Sequence, residues 1–411
     1  MTQLPTGKYN AYIGGGFIGH CRGEDVTLLS DSAEYYGDNS LLYLIGHVHY
    51  REPRAKIDAD HMTYWTAEGH VRAENNVYGV MNNGTTMRGP VADYYRIVPG
   101  VRAQTLLVTT GRPHFGIVQR DTVTGKMSDT VHVEADRVTN IADSVTYAGG
   151  NVHITRPEMF ATGDSAYVDG GTGRARLMIH PTVEARRDRP FTLTGGVIDV
   201  FSTNKQVNRV VATPNGHATS QDLQLFADSI DLRVTGNTLQ RAMAWGKTRA
   251  RALSPTQDIL ADSIDAILPN QRVQELRAVR KAYATAVPDT ETITTKDRDW
   301  MRGDTIIARF DTVVHGDTSR TPPVKAILAR TNARAYYHIA NDDNKQKPGV
   351  NYVVGRMIDI AFANHAVQTV TVTDKAGGVY LEPVSDSAAV VPKQRQPTIK
   401  KTPKIPGGRR R

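Results

Sequence analysis

The sequence predicts an all-β protein built as a ladder of repeated strand units, and three observations support this. The stretch Ala227–Ala252 returns at once as Ala261–Ala286, carrying Asp228 to Asp262, Leu239 to Val273, Ala244 to Ala278 and Ala250 to Ala284, all by a shift of 34. A fixed period in this range marks stacked repeats. The opening phrase, a small residue followed by Asp and alternating apolar positions, recurs more widely. It starts at Asp31, Asp60, Asp136, Asp164, Asp228, Asp262 and Asp304, with degenerate copies at Pro90, Gly196 and Arg356, so that ten copies run at spacings from 28 to 52. Finally, the residues two and four places after each anchor are apolar or aromatic in every copy except at Asn140, while those between them are mostly polar or Tyr. Alternation with period two puts one face of a strand inward and the other outward.

The second half of each unit could pass for a helix if one copy stood alone, since Val273, Leu276, Val279 and Tyr283 would share a side. Its other copies forbid that. The copy Val207, Val210, Ala212, Gly216, Ala218 contains Pro214, and the copy Val324, Ile327, Ala329, Ala333, Ala335 follows Pro322–Pro323. Proline does not sit in a helix interior. A weaker copy at Val367, Val370, Val372 and Ala376 ends the series.

Along the chain, Lys8–Gly23 reads as an opening strand pair, its Gly14–Gly16 lacking the dinucleotide-loop spacing and any helix after it. Ser30–Tyr50 and Asp58–Met81 are the first two full units, and Gly89–Tyr95 opens a third. Val98–Lys126 drifts from the pattern as a strand pair with a turn at Asp121–Gly125; Val131–Ile154 and Gly163–Ile179 resume it. The charged break Arg186–Pro190 divides a looser part, 8–188, from a stricter part, 191–384. Thr290–Trp300 is a polar insertion, Asn341–Gly349 a turn-rich surface loop. The segment 385–411, rich in Pro, Lys and Arg without periodicity, is expected to be a disordered basic tail.

Composition agrees with many half-exposed strands: 39% of residues are apolar and 35 are glycine. The net charge of +8 resides in the tail, which holds eight Lys and Arg against one Asp and leaves the body near +1. No nucleic-acid partner is expected for the body; contact with anionic lipid is a role for the tail. The single cysteine, Cys21, allows no internal disulfide. No apolar run reaches the length of a membrane-spanning helix, and no secretion signal is visible at the start.

Signals for catalysis are absent. There is no His-Glu-x-x-His, no Gly-x-Ser-x-Gly, and Gly246–Lys247–Thr248 fails as a phosphate loop because Arg241 stands where glycine is required. His47 and His49, with His61 and His70 nearby, read as exposed strand histidines, and no metal or other cofactor is expected. The anchor aspartates read as caps of turns entering each strand. No enzymatic activity is expected. The inward stripe either packs as a solid core or leaves an apolar groove between two sheets, and the residues alone leave both open.

The units SDSAEYYGDNSLLYLIGHVHY, KIDADHMTYWTAEGHVRAENNVYGV and LFADSIDLRVTGNTLQRAMAWGKTRARA resemble the OstA-like family of lipopolysaccharide transport, across roughly Ile13–Pro383. The resemblance implies an elongated open β-jelly roll, the β-taco, whose facing sheets hold lipid A acyl chains and whose copies stack end to end. It implies a periplasmic or outer-membrane location, lipopolysaccharide or a similar glycolipid as ligand, and other β-jelly-roll transport proteins as partners through end-to-end strand addition. The groove-lining residues it implies are Ile198, Val200, Ile230, Leu232, Ile264, Ile306, Ile358 and Ile360. Two other classes remain: a structural β-solenoid with a filled core, and a carbohydrate-active β-helix with clustered carboxylates.

Overall fold

A computed structural model describes residues 1–21, 25–117, 130–142, 144–157, 159–186, 190–203, 206–220, 223–236, 238–269, 272–311, 322–340, 348–363 and 366–382. The basic tail and the turn expected at 121–125 lie outside the described residues, as does most of the 341–349 loop. Among the described residues there is no α-helix, and 29 strands run from Thr2–Gln3 to Gly377–Leu381. The stretch that could have passed for a helix is the strand Glu275–Ala286.

The architecture is a single antiparallel meander folded along a crease. Leu41–Arg51 pairs with Ala55–Trp65, but the register slips between Ile45 and Val48. Equivalent slips occur between Glu74 and Val77, between Gly149 and Val152, between Val279 and Ala282, and between Arg330 and Ala333. At each slip two residues on one strand oppose one on its neighbour, and the pair adopts positive φ: Gly46 and His47 at 77° and 43°, Asn75 and Asn76 at 61° and 52°, Arg280 and Lys281 at 64° and 50°. Such bulges bend a strand and sharpen its twist. Repeated at one level through the whole ladder, they fold the sheet into two walls.

The anchors found in the sequence are the residues opposite those pairs. Asp31 accepts from His47 at 2.8 Å, Asp60 from Asn76 at 2.7 Å, and Asp136 from Asn151 at 3.2 Å. Asp228 accepts from the Thr248 backbone N–H at 2.9 Å and its hydroxyl at 2.8 Å. The degenerate copy Arg356 swaps the sign and faces Asp374 at 3.6 Å. Capping thus occurs at the crease rather than at the hairpin turns, which lie at the outer rims. Glycine is required where the Asp leans in: a Cβ on Gly46 would collide with the Asp31 carboxylate, and one on Gly150 with Asp136. The Gly14–Gly16 segment is likewise crease, within the strand Tyr9–His20, with its slip between Gly14 and Phe17.

Where the crease interrupts a strand fully, each wall carries its own piece. The pairings then close a ring of ten strand segments, bounded by the long strands Met159–Asp169 and Thr238–Leu253, which run through both walls. The sheet continues across the charged break, since Thr182–Ala185 pairs with Phe191–Thr194. Among the described residues, every cross-strand residue pair lies within one wall, also where a long strand runs through both. Among the described residues the walls meet through the crease and through inward side chains, which form one continuous core cluster from Val26 to Ile360.

Candidate functional site

The inward faces of the two walls carry the buried apolar cluster, and the crease sets their register. The position two residues beyond each anchor forms an unbroken cross-strand row. It begins Ile13, Ala33, Leu44, Met62, Ala73, Ala92. In the stricter part it becomes an alternation: Ile198, Ala212, Ile230, Ala244, Ile264, Ala278, Ile306, Ala329, Ile358, Val372. Isoleucine comes from strands leaving the crease, alanine from those returning to it. Directly opposed residues lie within about 5 Å at Cβ, so a large side chain beside a small one leaves a corrugated but continuous surface. A second row, four beyond the anchors, includes Val200, Val210, Leu232, Ala242, Ala266 and Leu276.

All eight groove residues expected from the sequence face this interior and lie on these two rows. Ile198, Ile230 and Ile358 are fully buried, and the most accessible, Val200, is 7% exposed. The opposite wall covers them. The interior is less sealed near its middle, where Asn140, Thr146, Val168 and Ala175 in the second row are half-buried. There Asn140 donates to the Thr146 hydroxyl at 2.9 Å.

At the N-terminal end the rims are tied together by side chains. Tyr50 from one wall meets Tyr64 and Tyr94 from the other, with ring centroids 6.3 and 6.2 Å away. Their hydroxyls surround a buried ion pair. Arg96 Nε donates to Glu52 Oε2 at 2.9 Å and Arg96 Nη1 to the Tyr64 hydroxyl at 3.0 Å, while the Tyr50 hydroxyl donates to Glu52 at 3.0 Å and the Tyr94 hydroxyl to its other oxygen. The side chains of Glu52 and Arg96 are 7% and 14% exposed. Burial, and after it the Glu52 charge, raises the Tyr50 hydroxyl far above its ordinary range, so it stays a donor. Sequence reasoning missed this clasp. The signal was parity: Glu52 follows inward Tyr50 by two and Arg96 follows inward Tyr94 by two, which puts both charges on the apolar side.

The outward face carries a different ladder, three residues beyond the anchors. Asp199 accepts from Arg176 at 2.8 Å and Arg174 at 3.1 Å, Asp231 from Arg209 at 2.9 Å, and Asp265 from Arg241 at 2.7 Å through both carboxylate oxygens. Burial pushes Asp199 upward, but the two guanidinium groups outweigh it and hold its carboxyl below the ordinary range. These bonds stiffen a wall from outside and keep their charges off the Ile198, Ile230 and Ile264 row.

The expected histidine placement is only partly right. His47 is exposed at the crease, whereas His70 is stacked between Trp65 and Tyr95, at centroid distances of 4.4 and 4.2 Å, and bonded to Asp93 at 2.9 Å. Strict alternation would put His47 and His49 on one face; the bulge between Ile45 and Val48 instead turns His47 to Asp31, while His49 bonds Asp58 at 2.7 Å. Among the described residues, no three His, Cys, Asp or Glu side chains converge on one ion, and no helix is long and apolar enough to cross a membrane.

No family model matches the sequence, and no curated protein matches it. Among solved structures, the chain is similar to LptH from Pseudomonas aeruginosa, described as the LptA-homologous periplasmic component of the lipopolysaccharide transport device. Sequence identity is 17%, the TM-score is 0.26, and the match covers 30% of this chain and 93% of that one.

Proposed function

We propose that this protein is a non-enzymatic carrier that holds the acyl chains of lipopolysaccharide, or of a similar glycolipid, between its two walls, in an open β-jelly roll serving outer-membrane assembly. The observation that carries this reading is the inner face itself. It is an apolar track that passes from strand to strand between walls that share backbone bonds only within themselves. In the described conformation the walls cover each other. Lipid entry parts the rims about the crease and exchanges wall-to-wall contact for wall-to-chain contact. The apolar side chains stay out of water throughout, and each methylene of the lipid gains about 0.8 kcal/mol on leaving it. Ile198, Val200, Ile230, Leu232, Ile264, Ile306, Ile358 and Ile360 contact the chains, and sugars and phosphates remain outside.

The terminal strands suit the partners such a carrier needs. Beyond the short pairing of Thr2–Gln3 with Tyr9 and Asn10, the outer edge of Tyr9–His20 is unpaired among the described residues, and Ile18 there is 69% exposed. At the other end Gly377–Leu381 pairs on one side only, with Leu381 60% exposed. Unpaired edges accept strands from neighbours, so other β-jelly-roll transport proteins add at both ends. The compartment is the periplasm facing the outer membrane, and the basic tail adds contact with anionic lipid. The burial of the same inner rows favours a second reading, a structural β-array with a permanently filled core. Native mass spectrometry separates the two: the carrier retains glycolipid adducts when purified from membranes under gentle conditions. A bare mass after incubation with lipopolysaccharide supports the filled core.

A further inference from the structure

On the outward face of one wall, away from the apolar interior, His114, His132, Glu134, His153, Thr155 and Phe160 line a depression of ≈ 320 Å³. Four strands build it: His114–Ile117, Val131–Glu134, Val145–Arg156 and Met159–Asp169, the last supplying Phe160. Register places His114 and His153 opposite Glu134 on either side, and His132 shares the outward face of its strand with Glu134. His114 Nδ1 lies 3.1 Å from Glu134 Oε1, and His114 Nε2 lies 3.1 Å from His132 Nδ1. An ionised carboxylate only accepts, so Glu134 fixes the proton of His114 on Nδ1 and turns the Nε2 lone pair toward His132.

We propose that His114 Nε2 and His132 Nδ1 chelate a borderline divalent metal ion of the Zn²⁺ class. Two imidazole nitrogens bound at about 2.0–2.1 Å and 3.1 Å apart subtend roughly 100° at the ion, between the octahedral and tetrahedral angles. On binding, His132 presents its Nδ1 lone pair and carries its proton on Nε2, so no net proton release is required. Glu134 supplies the carboxylate behind a metal-bound imidazole that orients such ligands. Arg112 is matched by Asp136 at 3.3 Å as well as by Glu134 at 3.7 Å, and its Nη2 sits 3.5 Å from His153 Nδ1, which keeps that nitrogen out of the chelate. The protein supplies two ligands and water completes the shell, making the site open and exchangeable.

Isothermal titration of the untagged full-length chain with Zn²⁺ tests this site. One site in the micromolar range is expected, lost at least tenfold in H114A and in H132A and weakened about tenfold in E134Q, with His61→Ala unchanged. His114 is 43% exposed, so its removal leaves the core intact, and a thermal melt of each variant checks this. No binding by the wild-type chain below 100 μM, or unchanged binding by a folded H132A, overturns the proposal.

Discussion

Glu52 and Arg96 are the pair whose removal separates the two walls most directly. Both charges are buried, and each depends on the other for compensation. Deleting one partner of a buried pair costs about 3–5 kcal/mol, because the remaining charge is left uncompensated. Arg96→Met is therefore expected to lower stability by roughly 3 kcal/mol or more, and E52Q/R96M together to recover part of that loss, as read by urea denaturation. Asp199 gives the pH signature. Its folded pKa lies below its unfolded value of about 3.9, so its contribution is full above that value and is lost as pH falls through the folded one. Asp199→Asn should reduce stability at neutral pH by about 1–3 kcal/mol and flatten the acid limb of the stability curve. Asp299 has the opposite sign. Burial raises its carboxyl despite the bonds from His338, so ionising it costs stability as pH rises through its folded value.

At the scale of the strand, the alternation of isoleucine and alanine is the feature to perturb. Ile264 sits between Ala244 and Ala278 across the ladder and is 1% exposed. Ile264→Ala is expected to cost about 2–5 kcal/mol through lost burial and a residual cavity, and Ala278→Ile about 1–3 kcal/mol through overpacking. The double variant exchanges large and small between neighbouring strands and should cost less than the sum of the two, measured from denaturation midpoints at constant m-value. The strands themselves were legible in the sequence because a half-buried strand writes its parity into every second residue, as at Ile230, Leu232 and Ile264, Ala266. The crease was not. It needs two consecutive left-handed residues, and only some copies use glycine for them; Arg280–Lys281 and Thr331–Asn332 adopt positive φ without any local signal. The anchor aspartates were visible as a column, but their partners sit 15 to 20 residues away on the next strand, which spacing alone does not reveal.

For the whole molecule, the inner surface was legible residue by residue, because the register brings every expected groove position onto two rows. Whether the walls part was not legible, since the same apolar stripe serves a filled core and an opening one equally well. The clasp was missed for a related reason: it depends on which rim positions face each other, a property of the folded sheet rather than of any unit. The tail is testable separately. Replacing its eight Lys and Arg by Gln should weaken binding to anionic vesicles at low salt, by up to about 1 kcal/mol per charge that reaches the surface. The same replacement should leave neutral vesicles unaffected.

Site-specific photo-crosslinking in cells is the most direct measurement of the central claim. A photoreactive side chain at the inward positions Ile230 and Ile264 should capture glycolipid, and the same group at the outward Ser229 and Ser263 should capture little. Equal labelling of the two faces, or none at the inward positions, would contradict a lipid-holding interior.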